Sequence, residues 1–202
     1  MKTIRKNVFL SQPILDDLAK SYLDAADAKA LGWYEKDGNL VMPYLNGSDL
    51  ERTRLTVPIF KKKKSMRYFQ PAGTSPELYL PRIGGIDWEK IKKDACIPVY
   101  CTEGEKKAAI ACKVGIPCIG LSGVDCWARK GGIPLPQWDE FDFVERKVVV
   151  VFDSDIIDKA PVQLAERRLA QMLISRGAKV SRIRLSEMLM NECISKLEGT
   201  ST

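Results

Sequence analysis

The sequence predicts an α/β fold: a four-stranded parallel sheet flanked by helices, preceded by a small, mostly antiparallel β unit with a leading helix. Three observations carry this. From about residue 97, short apolar runs alternate with amphipathic ones, the rhythm of right-handed βαβ crossovers. One of these runs, VVVVF at 148–152, contains no polar residue, as a strand covered on both faces requires. Between about residues 33 and 83, by contrast, β-type runs are divided by Asn-Gly, Pro and Gly, the punctuation of hairpins.

Taken in order, residues 13–31 place Ile14, Leu15, Leu18, Tyr22, Leu23 and Ala26 at helical spacing. Ser11 is available as a cap and Gly32 as a stop, so one helix or two short ones lead the chain. NLVMPYLNGSD, RLTVPIF, SMRYFQPAG and ELYLPRIGG form the β unit. Then come a strand (IPVYCTEG), a helix ending at Gly115, a second strand (IPCIGLSG) and a third (KVVVVFDSDI). A helix ending at Gly177, a fourth strand (AKVSRIRLS) and a last helix (EMLMNECISKLEG) follow. This divides the chain into 1–94, a helix plus a basic β-rich subdomain, and 95–202, the α/β domain with its C-terminal helix.

At 45% hydrophobic and 29% charged residues, the 202-residue composition is that of a soluble globular protein. Its longest apolar runs fall well short of the roughly 18 residues of a membrane span, so no membrane partner is expected. The opening MKTIRKNVFLSQP has no apolar signal core, and a cytoplasmic location follows as the expectation. Six cysteines without a C-x-x-C pair, in a chain without histidine, read as reduced core thiols. The net charge of +6 favours a polyanionic partner.

Ligands of open parallel sheets gather at the carboxyl ends of the strands. Three acids fall there: Glu103 after the first strand, and Asp153 and Asp155 after the third. In extended backbone, residues i and i+2 point the same way, so the two aspartates converge. Their mutual repulsion is relieved by a cation, and hard oxygen donors suit Mg²⁺ or Mn²⁺. The same Asp-x-Asp also suits a turn or a helix cap, as Asp158 does for the helix at 160.

T-E-G-E-K-K-A at 102–108, G-L-S-G-V at 120–124 and V-F-D-S-D at 151–155 together resemble the Toprim domain of bacterial primases, topoisomerases and some nucleases. The resemblance spans about residues 95–186 and implies a Rossmann-like sheet. Upstream, P-Y-L-N-G, R-Y-F-Q-P-A-G and L-Y-L-P are similar to the front portion of Toprim-like proteins in plasmid and phage primase-helicase polypeptides. By this resemblance Glu103 takes the general acid or base role in phosphodiester chemistry, and Asp153 and Asp155 bind the metal. Glu105 falls in the first helical turn, where an acid complements the helix dipole. After the fourth strand the chain reads R-L-S-E-M-L-M-N-E-C, where relatives often carry a further acidic or Lys-Gly motif.

Basic residues surround these acids in sequence. Lys106 and Lys107 follow Glu103, and Lys130 (with Arg129) and Lys159 fall in loops expected on the same sheet edge, so all are candidates for phosphate contact. Lys61, Lys62, Lys63, Lys64 and Arg67, with Arg52 and Arg54, form a second basic group, read either as a phosphate-binding surface on which Tyr68 and Phe69 stack with bases or as a solvated hairpin loop with both rings packed inside. Gly120, Gly123, Gly131 and Gly132 give the edge loops freedom to approach a ligand. Trp127 and Trp138 read as core anchors. No G-x-x-x-x-G-K-[ST] occurs, so ATPase activity is not expected.

The expectation is a metal-dependent Toprim protein of DNA replication in a mobile element, carrying out primase-like nucleotidyl transfer. Its partners would be single-stranded DNA or RNA, nucleotides and a replicative helicase. Two alternatives stand beside it: a nuclease using the same acids, and a catalytically idle nucleic-acid-binding accessory module.

Overall fold

The computed structural model describes residues 9–45, 48–61, 64–152 and 159–184. Two short helices lead the chain. Helix α1 (Gln12–Ala19) follows the extended Ser11, with Pro13 in its first turn. It ends before Tyr22, whose positive φ turns the backbone away. Helix α2 (Ala25–Ala30) begins at a reciprocal capping box in which Asp24 and Asp27 each accept the other's backbone N–H. Ile14, Leu18, Leu23 and Leu31 point from this pair into the core.

Strands β1 (Tyr34–Lys36), β2 (Asn39–Pro43), β3 (Glu51–Lys61) and β4 (Lys64–Phe69) form an antiparallel sheet in that order. Asp37 and Gly38, both at positive φ, make the tight β1–β2 turn. The β3–β4 ladder is irregular: Arg54 faces Tyr68 and Ile59 faces Met66, so residues 55–58 lie opposite Arg67 alone. This bulge contains Pro58, which cannot donate to a ladder.

Helix α3 (Trp88–Lys93), capped by Asp87, precedes the second sheet. There β5 (Val99–Glu103), α4 (Glu105–Lys113) and β6 (Cys118–Leu121) are followed by the small hairpin β7 (Ala128–Arg129) and β8 (Ile133–Pro134). A 3₁₀ turn (Pro136–Glu140), β9 (Lys147–Phe152), α5 (Ala160–Ser175) and β10 (Lys179–Arg184) complete the described chain. The sheet order is β10-β9-β5-β6, parallel throughout. A mixed α/β fold with one antiparallel and one parallel four-stranded sheet is therefore present, as the sequence predicts.

Several details differ from expectation. Strand β9 is not uniformly buried: Val148, Val150 and Phe152 are enclosed, whereas Val149 and Val151 on the other face are half-buried. Helix α3, the β7–β8 hairpin and the 3₁₀ turn carry too few periodic residues to be legible beforehand. The helix expected over 187–199 lies outside the described residues.

The two sheets share one hydrophobic core running from Leu10 to Ala178. Tyr79 joins them. Its backbone exchanges two hydrogen bonds with Gly120 of β6, at 2.9 and 2.8 Å, while its hydroxyl accepts from Trp33 Nε1 at 2.8 Å. Cys101, Cys112 and Cys118 are buried in this core, and every cysteine among the described residues is a free thiol. Among those residues, no helix is long and apolar enough to cross a membrane.

Candidate active site at the carboxyl edge of the parallel sheet

Glu103 is the last residue of β5, the strand held between β6 and β9. It lies level with Leu121 of β6, and its predecessor Thr102 lies level with Val151 of β9. Phe152, the end of β9, is thus brought to the same edge as Glu103. Asp153 follows directly in the chain; Asp153 and Asp155 themselves lie outside the described residues. After Glu103 the backbone turns at Gly104, at φ 93° and ψ 142°, a conformation open essentially to glycine alone. The Gly104 N–H donates to Leu121 O at 2.7 Å, which fixes the turn against the neighbouring strand end.

A further acid reaches this edge that sequence reasoning missed. The antiparallel pairing of Tyr79 with Gly120 runs the preceding residues towards the carboxyl end of β6, where Ser122 follows. Glu77 Oε2 and Ser122 Oγ are buried atoms with no hydrogen-bond partner among the described residues. Only the tertiary pairing reveals this; nothing local to ELYLP signals it.

The first turn of α4 has a different task from the one expected. Glu105 is fully buried, accepts from Tyr44 Oη at 2.7 Å, and forms an ion pair with Arg52 of β3. It is a docking residue for the antiparallel sheet, and helix-dipole complementation is secondary. Lys106 has a structural partner as well. Its Nζ donates to the Asp17 carbonyl and carboxylate, both at 2.9 Å, so it ties α4 to α1. Burial depresses its pKa, against the pull of Asp17. Asp17 also receives two hydrogen bonds from Arg54 at 2.6 Å, a bidentate pair.

Lys107 is exposed on the neighbouring face of α4. Lys159 is exposed at the start of α5, after β9, and Lys130 is exposed in the β7–β8 hairpin, after β6. These three follow strand ends of the parallel sheet, whereas Lys61, Lys64 and Arg67 belong to the β3–β4 hairpin of the other sheet, and Lys62 and Lys63 lie outside the described residues. The structure therefore separates the basic residues into two groups.

Gly120 is not a loop glycine. It sits inside β6, where an added Cβ would come within 3.1–3.2 Å of Ala108 and Tyr79, so its role is close packing. Trp127 and Trp138 are core residues, as expected, with Trp138 Nε1 donating to Trp127 O at 2.9 Å. Tyr68 faces inward, between the guanidinium groups of Arg52 and Arg54 at 5.0 and 5.1 Å, while Phe69 faces solvent.

Residues 87–192 match DUF3854, a domain of unknown function, over more than half of the chain. The chain belongs to the DUF3854 family. The DUF3854 segment begins at the Asp87 cap of α3 and takes in every strand of the parallel sheet, with Glu103, Asp153 and Asp155 inside it. Helix α1 and the antiparallel sheet lie outside the segment yet are bonded to its helix α4, the helix through Asp17 and the sheet through Arg52. No curated protein and no solved structure matches the chain.

Proposed function

We propose that this protein carries out metal-dependent nucleotidyl transfer of the primase type on single-stranded nucleic acid, with Glu103, Asp153 and Asp155 at the reacting phosphate. The observation that carries the reading is the adjacency of β5 and β9, which ends Glu103 and Phe152 at one edge, with Asp153 the next residue. The resemblance of the three motifs to Toprim supports it, as does the net charge of +6.

The donor set fits a hard divalent cation, since Asp153 and Asp155 supply carboxylate oxygens in an i, i+2 pair. Mg²⁺ or Mn²⁺, when bound, neutralises charge at a phosphate and acidifies an attacking hydroxyl. In this reading Glu103 accepts a proton from that hydroxyl; the Gly104 N–H bond to Leu121 O, which fixes the turn after it, supports the assignment. Lys107, Lys130 and Lys159 supply exposed positive charge after the same strand ends.

The test is extension of a labelled primer or de novo synthesis on single-stranded template with Mg²⁺ or Mn²⁺. Glu103→Gln and Asp153→Asn should each abolish the product. Shortening of the labelled strand would instead assign hydrolysis to the same acids. Metal-independent synthesis would overturn the reading, and absence of turnover in every condition would leave the idle accessory module.

A further inference from the structure

The β3–β4 hairpin outruns its sheet. Strand β2 pairs with β3 only over Glu51–Arg54, so from Ile59 to Met66 the hairpin has no third strand beside it among the described residues. Its side chains nevertheless include large apolar groups: Phe60 is 76% exposed and Phe69 49%. Phe60 stands on the two-stranded part of the ribbon, and Phe69 stands opposite Thr53, where β2 still flanks β3.

The two rings share a face. Along β4, Ser65, Arg67 and Phe69 are exposed while Met66 and Tyr68 are half-buried, the period-two alternation of a strand. Phe60 lies directly opposite Ser65 and so projects on the same side. The face therefore reads Phe60, Arg67, Phe69, with the rings about 13 Å apart at the strand rise of roughly 3.3 Å per residue. That distance spans about four nucleotides at 3.4 Å each, fewer when the strand is stretched.

Charge identifies the occupant. Arg52 and Arg54 are taken up by Glu105 and Asp17, but from Leu55 to Pro76 the sequence has five further basic residues and no acid, four of them consecutive lysines where β3 ends and β4 begins. A polyanion with flat apolar faces at regular intervals satisfies both features. A bilayer suits the hairpin less well, because Ile59 and Met66 project on the side opposite Phe60, so no single apolar face can lie in a membrane surface.

We infer that this face of the β3–β4 hairpin is a single-stranded nucleic-acid platform. Phe60 and Phe69 stack on unpaired bases, and Arg67 between them neutralises a phosphate. The inference rests on the proposed function only for the class of ligand, and it needs no metal.

The experiment is fluorescence anisotropy of a labelled 12-nucleotide oligothymidylate with the full chain in EDTA. Binding should be salt-dependent. Phe60→Ala and Phe69→Ala should each weaken it about five-fold or more. Arg67→Ala should weaken it and flatten the salt slope by about one. Val144→Ala, exposed in the loop before β9, should leave it unchanged. The inference is overturned if the two phenylalanine variants bind like the parent, if duplex of the same length binds as tightly, or if only phosphatidylglycerol vesicles are bound. It is also overturned if Phe60→Ala changes the sedimenting mass and not the affinity, which would make the hairpin a contact between copies. Because EDTA removes the metal, loss of platform binding alongside intact synthesis sinks only this inference. Intact binding without synthesis sinks only the proposed reaction.

Discussion

Arg52 of β3 and Glu105 of α4 form a buried ion pair two residues beyond Glu103, with Tyr44 donating to the same carboxylate oxygen. The contact that docks the antiparallel sheet and the acid proposed for proton transfer therefore share one turn of backbone.

Removing one partner of this pair strands the other charge in the interface. Arg52→Met or Glu105→Gln should each destabilise the fold by about 3–5 kcal/mol, seen as a lower urea midpoint. The double variant Arg52→Met/Glu105→Leu should recover much of that loss, because an apolar pair leaves no buried charge. Near-neutral single variants would show that the pair does not hold the sheets together.

Asp17 predicts an acid-sensitive joint between α1, β3 and α4. Burial opposes its ionisation, but hydrogen bonds from Arg54 and Lys106, with their charges, hold its pKa at about 2, below the ordinary 3.8. A depressed carboxylate contributes stability that is fully present above its unfolded value and is lost as pH falls through the folded one. The contribution, on the order of 1–2 kcal/mol, should therefore be intact above about pH 4 and fade towards pH 2. Urea unfolding of the parent and of Asp17→Asn at pH 6 and at pH 2.5 checks this: the gap between them should narrow at the lower pH.

The core thiols should be unreactive. Burial raises Cys101 to about 12 and Cys112 to about 11, and pushes Cys118 up as well, so little thiolate exists at pH 8. Peptide mapping after a short iodoacetamide pulse should find Cys96, which is exposed, labelled, and these three labelled only after denaturation. Labelling of Cys101 in the native state would mean that β5 opens locally.

The parallel sheet is legible because β5, β6 and β9 are short, largely apolar runs and Gly115 and Gly177 end the helices between strands, signals each segment carries by itself. The alternation of βαβ units then placed Glu103 at a strand end without any knowledge of contacts. What sequence could not supply was pairing across long separations. Nothing near Lys106 announces Asp17, and nothing near Glu105 announces Arg52 or Tyr44, so both α4 residues look like surface charges until the antiparallel sheet packs on them. Gly120 misled for a related reason: a glycine between Ile119 and Leu121 looks like loop freedom, when Tyr79 requires the space. Phe60 carries no signal of its own in RLTVPIF, and its exposure follows from β2 pairing with β3 only as far as Arg54.

Gly104 offers the sharpest test of how the fold sets the acid. At φ 93° and ψ 142° an L side chain is strained, although a Cβ there would meet nothing within 4 Å. Gly104→Ala should thus cost about 1–3 kcal/mol through the backbone and not through crowding. The relieved backbone would rotate the Glu103–Glu105 peptide planes, so under the proposed function kcat should fall while KM for the nucleotide holds. Gly115→Ala is the matched control, since it also has positive φ in open space but stands after α4, at the opposite end of the helix from Glu103. It should lose comparable stability and keep turnover. Replacing Gly104 with D-alanine by semisynthesis satisfies the positive φ and should restore both quantities. If Gly104→Ala and Gly115→Ala lower kcat equally, the effect is general destabilisation, and the turn does not position Glu103.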